Sequence, residues 1–221
     1  MNNKLQVVGF SLGVTAIIAL TVYAVFAFDT SKTQSTTVDS NNQLEDALVV
    51  LPDDWQKGNL ESKVKVIEYS DLQCPACAVV DDQIVKPVIE QYSDKITFSY
   101  RHFPLSMHEN AVPAAWASEA AGLQGKFWEM HDILFARQDE WNATSTPETV
   151  YKNYAAELGI DTEKFMIDYN SSFVKEMVQE DANRAASLDL NSTPTFFVNG
   201  VKVPPLRSKE DLENAIKSAL E

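Results

Sequence analysis

The run Val64-Lys65-Val66-Ile67-Glu68-Tyr69-Ser70-Asp71-Leu72-Gln73-Cys74-Pro75-Ala76-Cys77 decides the fold. An apolar, strand-like stretch feeds a turn with two cysteines, and a helix-period pattern (Val80, Ile84 and Val88, with Val85, Ile89 and Tyr92 beside them) begins immediately afterwards. Cys74 is thereby placed at a helix N-terminus. The first-turn N–H groups there lack intrahelical partners and the helix dipole presents its positive end, so thiolate is favoured over thiol. At its upper value of about 2 kcal/mol, the dipole alone would bring an ordinary thiol pKa of about 8.5 to about 7. Cys74 is the candidate nucleophile.

Cys-x-x-Cys is also half of a tetrahedral zinc site, but the chain has only these two cysteines, and His102, His108 and His131 show no ligand spacing. A purely structural disulfide gains more from a longer loop than from a two-residue gap. Redox chemistry is the favoured reading.

The chain has 221 residues, 45% of them hydrophobic, with four Trp and eleven Phe, enough for a good core and a chain that is not disordered. A net charge of -14 argues against nucleic acid as a partner and against docking on anionic lipid through a basic face. Residues 5–28 carry no charge and are long enough to cross a bilayer core, which predicts a transmembrane anchor. The alternative is a signal peptide, with Val25-Phe26-Ala27 as its cleavage site. Lys4 before the segment and Asp29 after it orient the N-terminus toward the cytoplasm and the remainder outward.

Residues 29–55 read as a polar linker with a short apolar arm at 44–51, and the folded unit is expected to start between Asp53 and Gly58, so that the domain spans 56–221. Pro87 is expected to kink the helix that follows the cysteines. A second strand is predicted over 95–102, then four or five helices over about 108–190, broken at 122–125, 142–147 and 159–161. Pro147 suits a first helical turn capped by Ser145 or Thr146. A strand over 195–198, an Asn199-Gly200 turn, a strand over 201–203 and a final helix capped by Ser208 complete the pattern.

Cys74-Pro75-Ala76-Cys77, followed much later by Thr193-Pro194-Thr195-Phe196-Phe197, resembles an α/β thioredoxin-like fold interrupted by an inserted helical domain. That insertion, together with the phrases at 100–105 (YRHFPL) and 125–131 (GKFWEMH), is similar to the membrane-anchored bacterial branch of the DsbA-like thiol-disulfide oxidoreductases. The resemblance implies that Cys74 attacks and forms the mixed disulfide, that Cys77 is the buried resolving cysteine, and that Pro194 is a cis proline facing the sulfurs. It implies further that the Thr193 backbone pairs with the substrate chain beside Pro75 and Ala76, and that Glu68 is a buried acid beneath the pair. The alternative for Glu68 is a solvated edge charge. No cofactor, metal or nucleotide is implied, and the implied partners are exported protein thiols and a quinone-linked membrane reoxidase of the DsbB or VKOR type.

The expected function is extracytoplasmic dithiol oxidation. A Pro-Ala dipeptide instead of Pro-His, and Thr before the proline, keep a reductase or isomerase as the alternative within this chemistry. A non-catalytic peptide-binding module is the alternative outside it. The three histidines read as surface or helix-packing residues, His102 being the best placed for the site because it ends a strand. Trp116, Phe127, Trp128 and Phe135 read as core.

Overall fold

The computed structural model describes residues 40–221. The expected anchor at 5–28 and most of the linker lie outside the described residues. Among those described, no helix is long and apolar enough to cross a membrane.

The described residues open with α1 (Ser40–Leu48) and β1 (Trp55–Gly58), then β2 (Val64–Ser70) and the cysteine helix α2 (Pro75–Val80). A π-helical turn, Asp81–Val85, joins α2 to α3 (Lys86–Gln91). Pro87 has no N–H for the carbonyl of Gln83, and the turn before it widens to π; the expected break falls where the donor is missing. After β3 (Ile96–His102) come α4 (Ala111–Gly122), α5 (Phe127–Ala136), α6 (Gln138–Trp141), α7 (Pro147–Glu157), α8 (Thr162–Asn170) and α9 (Ser172–Ser187). The chain closes with β4 (Thr195–Val198), β5 (Val201–Lys202) and α10 (Lys209–Leu220).

Six helices thus fill the insert where four or five were expected. The additional breaks fall at Arg137 and at Ser171, whose hydroxyl accepts the Val174 N–H and starts α9. Thr146 does occupy the position before Pro147, but its side chain makes no capping bond. Asn199 and Gly200 have φ of 47° and 77°, the left-handed geometry that a two-residue hairpin turn requires. At α10 the Asp211 carboxylate accepts the Ser208 N–H at 3.3 Å, closing the first turn.

The sheet order is β1-β3-β2-β4-β5, with β2 and β3 parallel and the other pairs antiparallel. Register places Glu68 between Tyr100 of β3 and Phe196 of β4. Side chains alternate across the sheet. Val64, Val66, Phe98, Tyr100, Phe196 and Val198 join the larger core with Cys77, Val88, Leu212 and the insert helices. Ile67, Tyr69 and Phe197 face the other way, into a smaller cluster with Ala185, Leu190 and Leu48. Each such fully buried Ile or Phe contributes roughly 2 kcal/mol by leaving water.

Trp55 ties β1 to the insert. Its ring stacks on Phe127 at 4.4 Å between centroids, its indole N–H donates to Glu119 at 2.9 Å, and a Cβ on Gly122 would overlap it. Phe127 and Phe135 are buried, while Trp116 and Trp128 pack on the core from its edge.

The alternation of β3 is not one of buried against exposed, because every residue of the strand is buried. On the second face Arg101 donates to the Asp54 carboxylate at 2.8 and 3.0 Å, to the carbonyls of Asp46, Ala47 and Val49, and to Tyr69 Oη. Folded structure therefore begins before the expected start between Asp53 and Gly58. The 44–54 arm supplies the acceptors that make burial of a guanidinium tolerable.

Candidate active site

Cys74 is the N-cap of α2, with extended backbone (φ -71°, ψ 120°), and Pro75 occupies the first turn where its missing N–H costs nothing. Pro75 and Ala76 are exposed, Cys74 retains 8% exposure and Cys77 none. The two cysteines are free, with no disulfide between them. The Cys77 thiol donates to the Cys74 sulfur and is the largest of the influences that draw the Cys74 pKa down to about 5. The N–H groups of Cys77 and Ala76 add to it against the cost of burial. Burial pushes Cys77 far the other way, and the neighbouring Cys74 sulfur adds to the effect. The geometry makes one sulfur an ion and keeps the other a thiol.

Thr193–Pro194 is a cis peptide bond. The Cys74 sulfur lies 3.9 Å from the Thr193 carbonyl oxygen, and the Thr193 hydroxyl is buried without a hydrogen-bond partner. The two motifs separated by the whole insert thus meet at the sulfur.

Glu68 is buried, at 1% exposure, and its Oε1 has no hydrogen-bond partner. Burial raises its pKa to about 8, the nearby Asp81 carboxylate adds to the rise, and Ser70 opposes it. The edge-charge alternative is therefore excluded. Ser70 also favours ionisation of Cys77, so its buried hydroxyl, which has no full hydrogen-bond partner, acts on both the carboxyl and the thiol. Sequence reasoning missed Ser70, Asp81 and Tyr100. Signals for two of them existed: Ser70 lies two residues from Glu68 on the same strand face, and Asp81 lies one helical turn after Cys77.

The turn that presents Cys74 is anchored to the insert. Gln138 Nε2 donates to the carbonyls of Leu72 and Cys74 at 2.6 and 3.2 Å, and Gln73 Nε2 donates to the Asn142 carbonyl at 2.7 Å.

The order of the histidines is reversed. His102, the expected best of the three, is neither on the surface nor at the sulfurs: its ring Nε2 lies 3.2 Å from Glu119 and its main-chain N–H donates to the buried Asp181 carboxylate. His131 packs edge-on against Tyr100 and Phe135, and burial lowers its pKa. His108 alone touches the Cys74 turn, through a 2.7 Å contact from Nδ1 to Asp71.

With this geometry in hand, comparisons with known proteins agree. A family profile described as Thioredoxin matches residues 51–218. The fold is shared with alpha-DsbA1 of Wolbachia pipientis (TM-score 0.71, 23% identity, 80% of this chain and 96% of that one). It is shared also with a thioredoxin-like oxidoreductase of Silicibacter pomeroyi (TM-score 0.68, 29% identity, 79% and 96%). BdbD of Bacillus subtilis matches with a TM-score of 0.68 at 21% identity, over 76% and 92%.

The chain belongs to the thioredoxin family, and with its helical insert it shares the fold of the DsbA proteins, with Cys74 and Cys77 at the start of the helix that follows β2. In sequence it is also 42% identical over 159 residues to a protein named Na(+)/H(+) antiporter NhaA 1 of Mycolicibacterium vanbaalenii, covering 69% of this chain. It is 35% identical over 167 residues to NhaA 3 of Salinispora tropica, covering 75%. The match spans only 24% of each of those proteins.

Proposed function

We propose that the protein works as a dithiol oxidase on exported proteins, and one observation carries this reading: the Cys74 thiolate is stabilised while Cys77 is kept neutral. A stabilised thiolate is a good leaving group, and stabilising the reduced form makes the disulfide form the stronger oxidant. A substrate thiolate attacks Cys74 of the oxidised pair, the Cys74–Cys77 bond breaks, and Cys77 leaves carrying the electron pair. The substrate's second thiolate then attacks the substrate sulfur of the mixed disulfide and expels Cys74 as thiolate. The substrate loses two electrons and the enzyme gains them.

The dry Cys77 site cannot hold a bare thiolate, so the departing sulfur needs a proton. Glu68, with its pKa near 8, carries one at neutral pH and passes it by way of Ser70. In the reverse direction the same carboxylate accepts it. Pro75, Ala76 and the Thr193–Pro194 edge receive the substrate chain.

Residues 5–28 anchor the protein with the catalytic domain outside, where a quinone-linked reoxidase of the DsbB or VKOR type returns the pair to the disulfide. Carbonate extraction and external proteolysis of the full-length protein test this placement: resistance to extraction and release of a soluble domain are the expected results.

Equilibration with glutathione buffers tests the direction. A pair more oxidising than the glutathione couple is expected, and a more reducing one would make the protein a reductase. Cys77→Ser should accumulate mixed disulfides on Cys74, whereas Cys74→Ser should trap few; adducts mainly on Cys77 would reverse the assigned polarity.

A further inference from the structure

The turn that presents Cys74 is organised by one buried carboxylate. Asp71 Oδ1 accepts the Gln73 N–H at 2.8 Å, Oδ2 accepts the Leu105 N–H at 2.9 Å, and the Asp71 carbonyl accepts the Cys74 N–H at 3.0 Å. Among the described residues, the one side chain that hydrogen-bonds this carboxylate is His108, whose Nδ1 lies 2.7 Å from Oδ2. The Asp71 side chain has no exposure, while the imidazole keeps 20%. An ionised carboxylate only accepts, so Nδ1 carries the hydrogen. A second bond runs parallel to this one, with Gln73 Oε1 accepting the Asn110 N–H at 2.6 Å. The loop after β3 and the Cys74 turn are thus joined at two points, and His108 supplies the side-chain donor at one of them.

We propose that His108 is a positioning residue for the thiol-disulfide reaction: through Asp71 it fixes the turn that holds the Cys74 sulfur over the first N–H groups of α2. The inference rests on the oxidoreductase reading of Cys74 and adds a residue to it. Without the Nδ1 donor, Asp71 is a dry carboxylate with two main-chain donors left, and it relaxes by turning outward or by drawing in water. Either response loosens the Gln73 and Leu105 bonds and, with them, the backbone that carries Cys74. The fold survives this, because Gln73 and Gln138 still bind the turn to the insert. The effect therefore appears in the reaction.

The experiment compares His108→Asn, His108→Gln and His108→Leu. An Asn amide nitrogen stands where Nδ1 does, whereas the Gln amide reaches only the Nε2 position. Two quantities are read on reduced and oxidised protein: the pH midpoint of the Cys74 thiolate absorbance, and the single-turnover rate with a dithiol peptide. His108→Leu and His108→Gln should raise the midpoint by about one pH unit, which through the Brønsted dependence of thiol exchange slows it at least about threefold. His108→Asn should stay within about twofold of wild type. If Gln and Leu match wild type in both readouts, or if Asn is as impaired as Leu, the positioning role is overturned. If His108→Leu does not fold, the Asn and Gln pair gives the same decision. A wild-type protein with no exchange at all would remove the oxidoreductase reading itself, a result separable from any difference among the variants.

Discussion

Arg101 and Glu68 lie on neighbouring central strands, both buried, and point to opposite faces of the same sheet. Arg101 donates to the Asp54 carboxylate, three arm carbonyls and a tyrosine hydroxyl. Glu68 has an oxygen with no partner at all and a pKa raised to about 8. A buried charge with a full set of partners is fixed in one state and holds structure. A buried acid left short of partners sits between two protonation states, which suits it to moving a proton. Across these two strands the buried ion and the buried acid differ in how completely the packing satisfies them.

The largest effect should come from breaking the satisfied side. Arg101→Met takes the guanidinium away from the buried Asp54 carboxylate, which keeps only Ser99 and the Leu51 N–H, and from the arm carbonyls, of which Ala47 keeps Tyr69, and should cost about 3 kcal/mol of stability in denaturant titration. A loss under about 1 kcal/mol would mean that the 44–54 arm detaches cheaply and that the contrast with Glu68 is overdrawn.

Changing the unsatisfied side should act on rate. Glu68→Gln removes the titrating group while keeping its size, so single-turnover exchange should slow by about tenfold or more and mixed disulfides should persist. Stability should move the opposite way. The folded pKa of Glu68 is raised above its unfolded value, so the folded state holds the extra proton between about pH 4.5 and about 8 and loses stability as pH rises across that window. The advantage of Glu68→Gln over wild type should therefore grow from pH 5 to pH 8, toward a few kcal/mol at most. Superimposable rate and stability profiles would return Glu68 to a passive role.

The smallest expected effect concerns Cys74, whose sulfur is partly exposed. Its folded pKa lies below its unfolded one, so its contribution is fully present above about pH 9 and is lost as pH falls through about 5. The reduced protein should gain stability relative to the disulfide form as pH rises through that range. Parallel melting curves for the two forms at every pH would show that Cys74 is no better a thiolate when folded than when unfolded.

The cysteine helix, the Asn199-Gly200 turn, the Pro147 and Ser208 helix starts and the position of the Pro87 interruption were legible in the sequence. Each is set by residues within a turn or two of one another, through a missing N–H, a positive φ or a short-range cap. Boundaries that depend on weaker local signals, such as the break at Arg137, were not legible. The place of Cys74 at the start of the cysteine helix was legible too, because Pro75 and the helical period follow it directly. The strand β1 was missed; its Trp55 is a strand residue chiefly because Phe127, Glu119 and the space over Gly122 receive it.

By itself the sequence determined the dithiol, its helix, and the second motif that had to come to it. Only the tertiary structure decided which polar residues are satisfied and which are left reactive. His102 and His108 illustrate this, since each is six residues or fewer from the other and nothing local separates their roles. One ends in a carboxylate cluster at the insert and the other at the Cys74 turn, because their partners arrive from elsewhere: Glu119 for His102, Asp71 for His108. Arg101 likewise finds Asp54 from 47 residues away. Burial and partner choice are properties of surfaces brought together by folding, and neither is written in the residues that are buried.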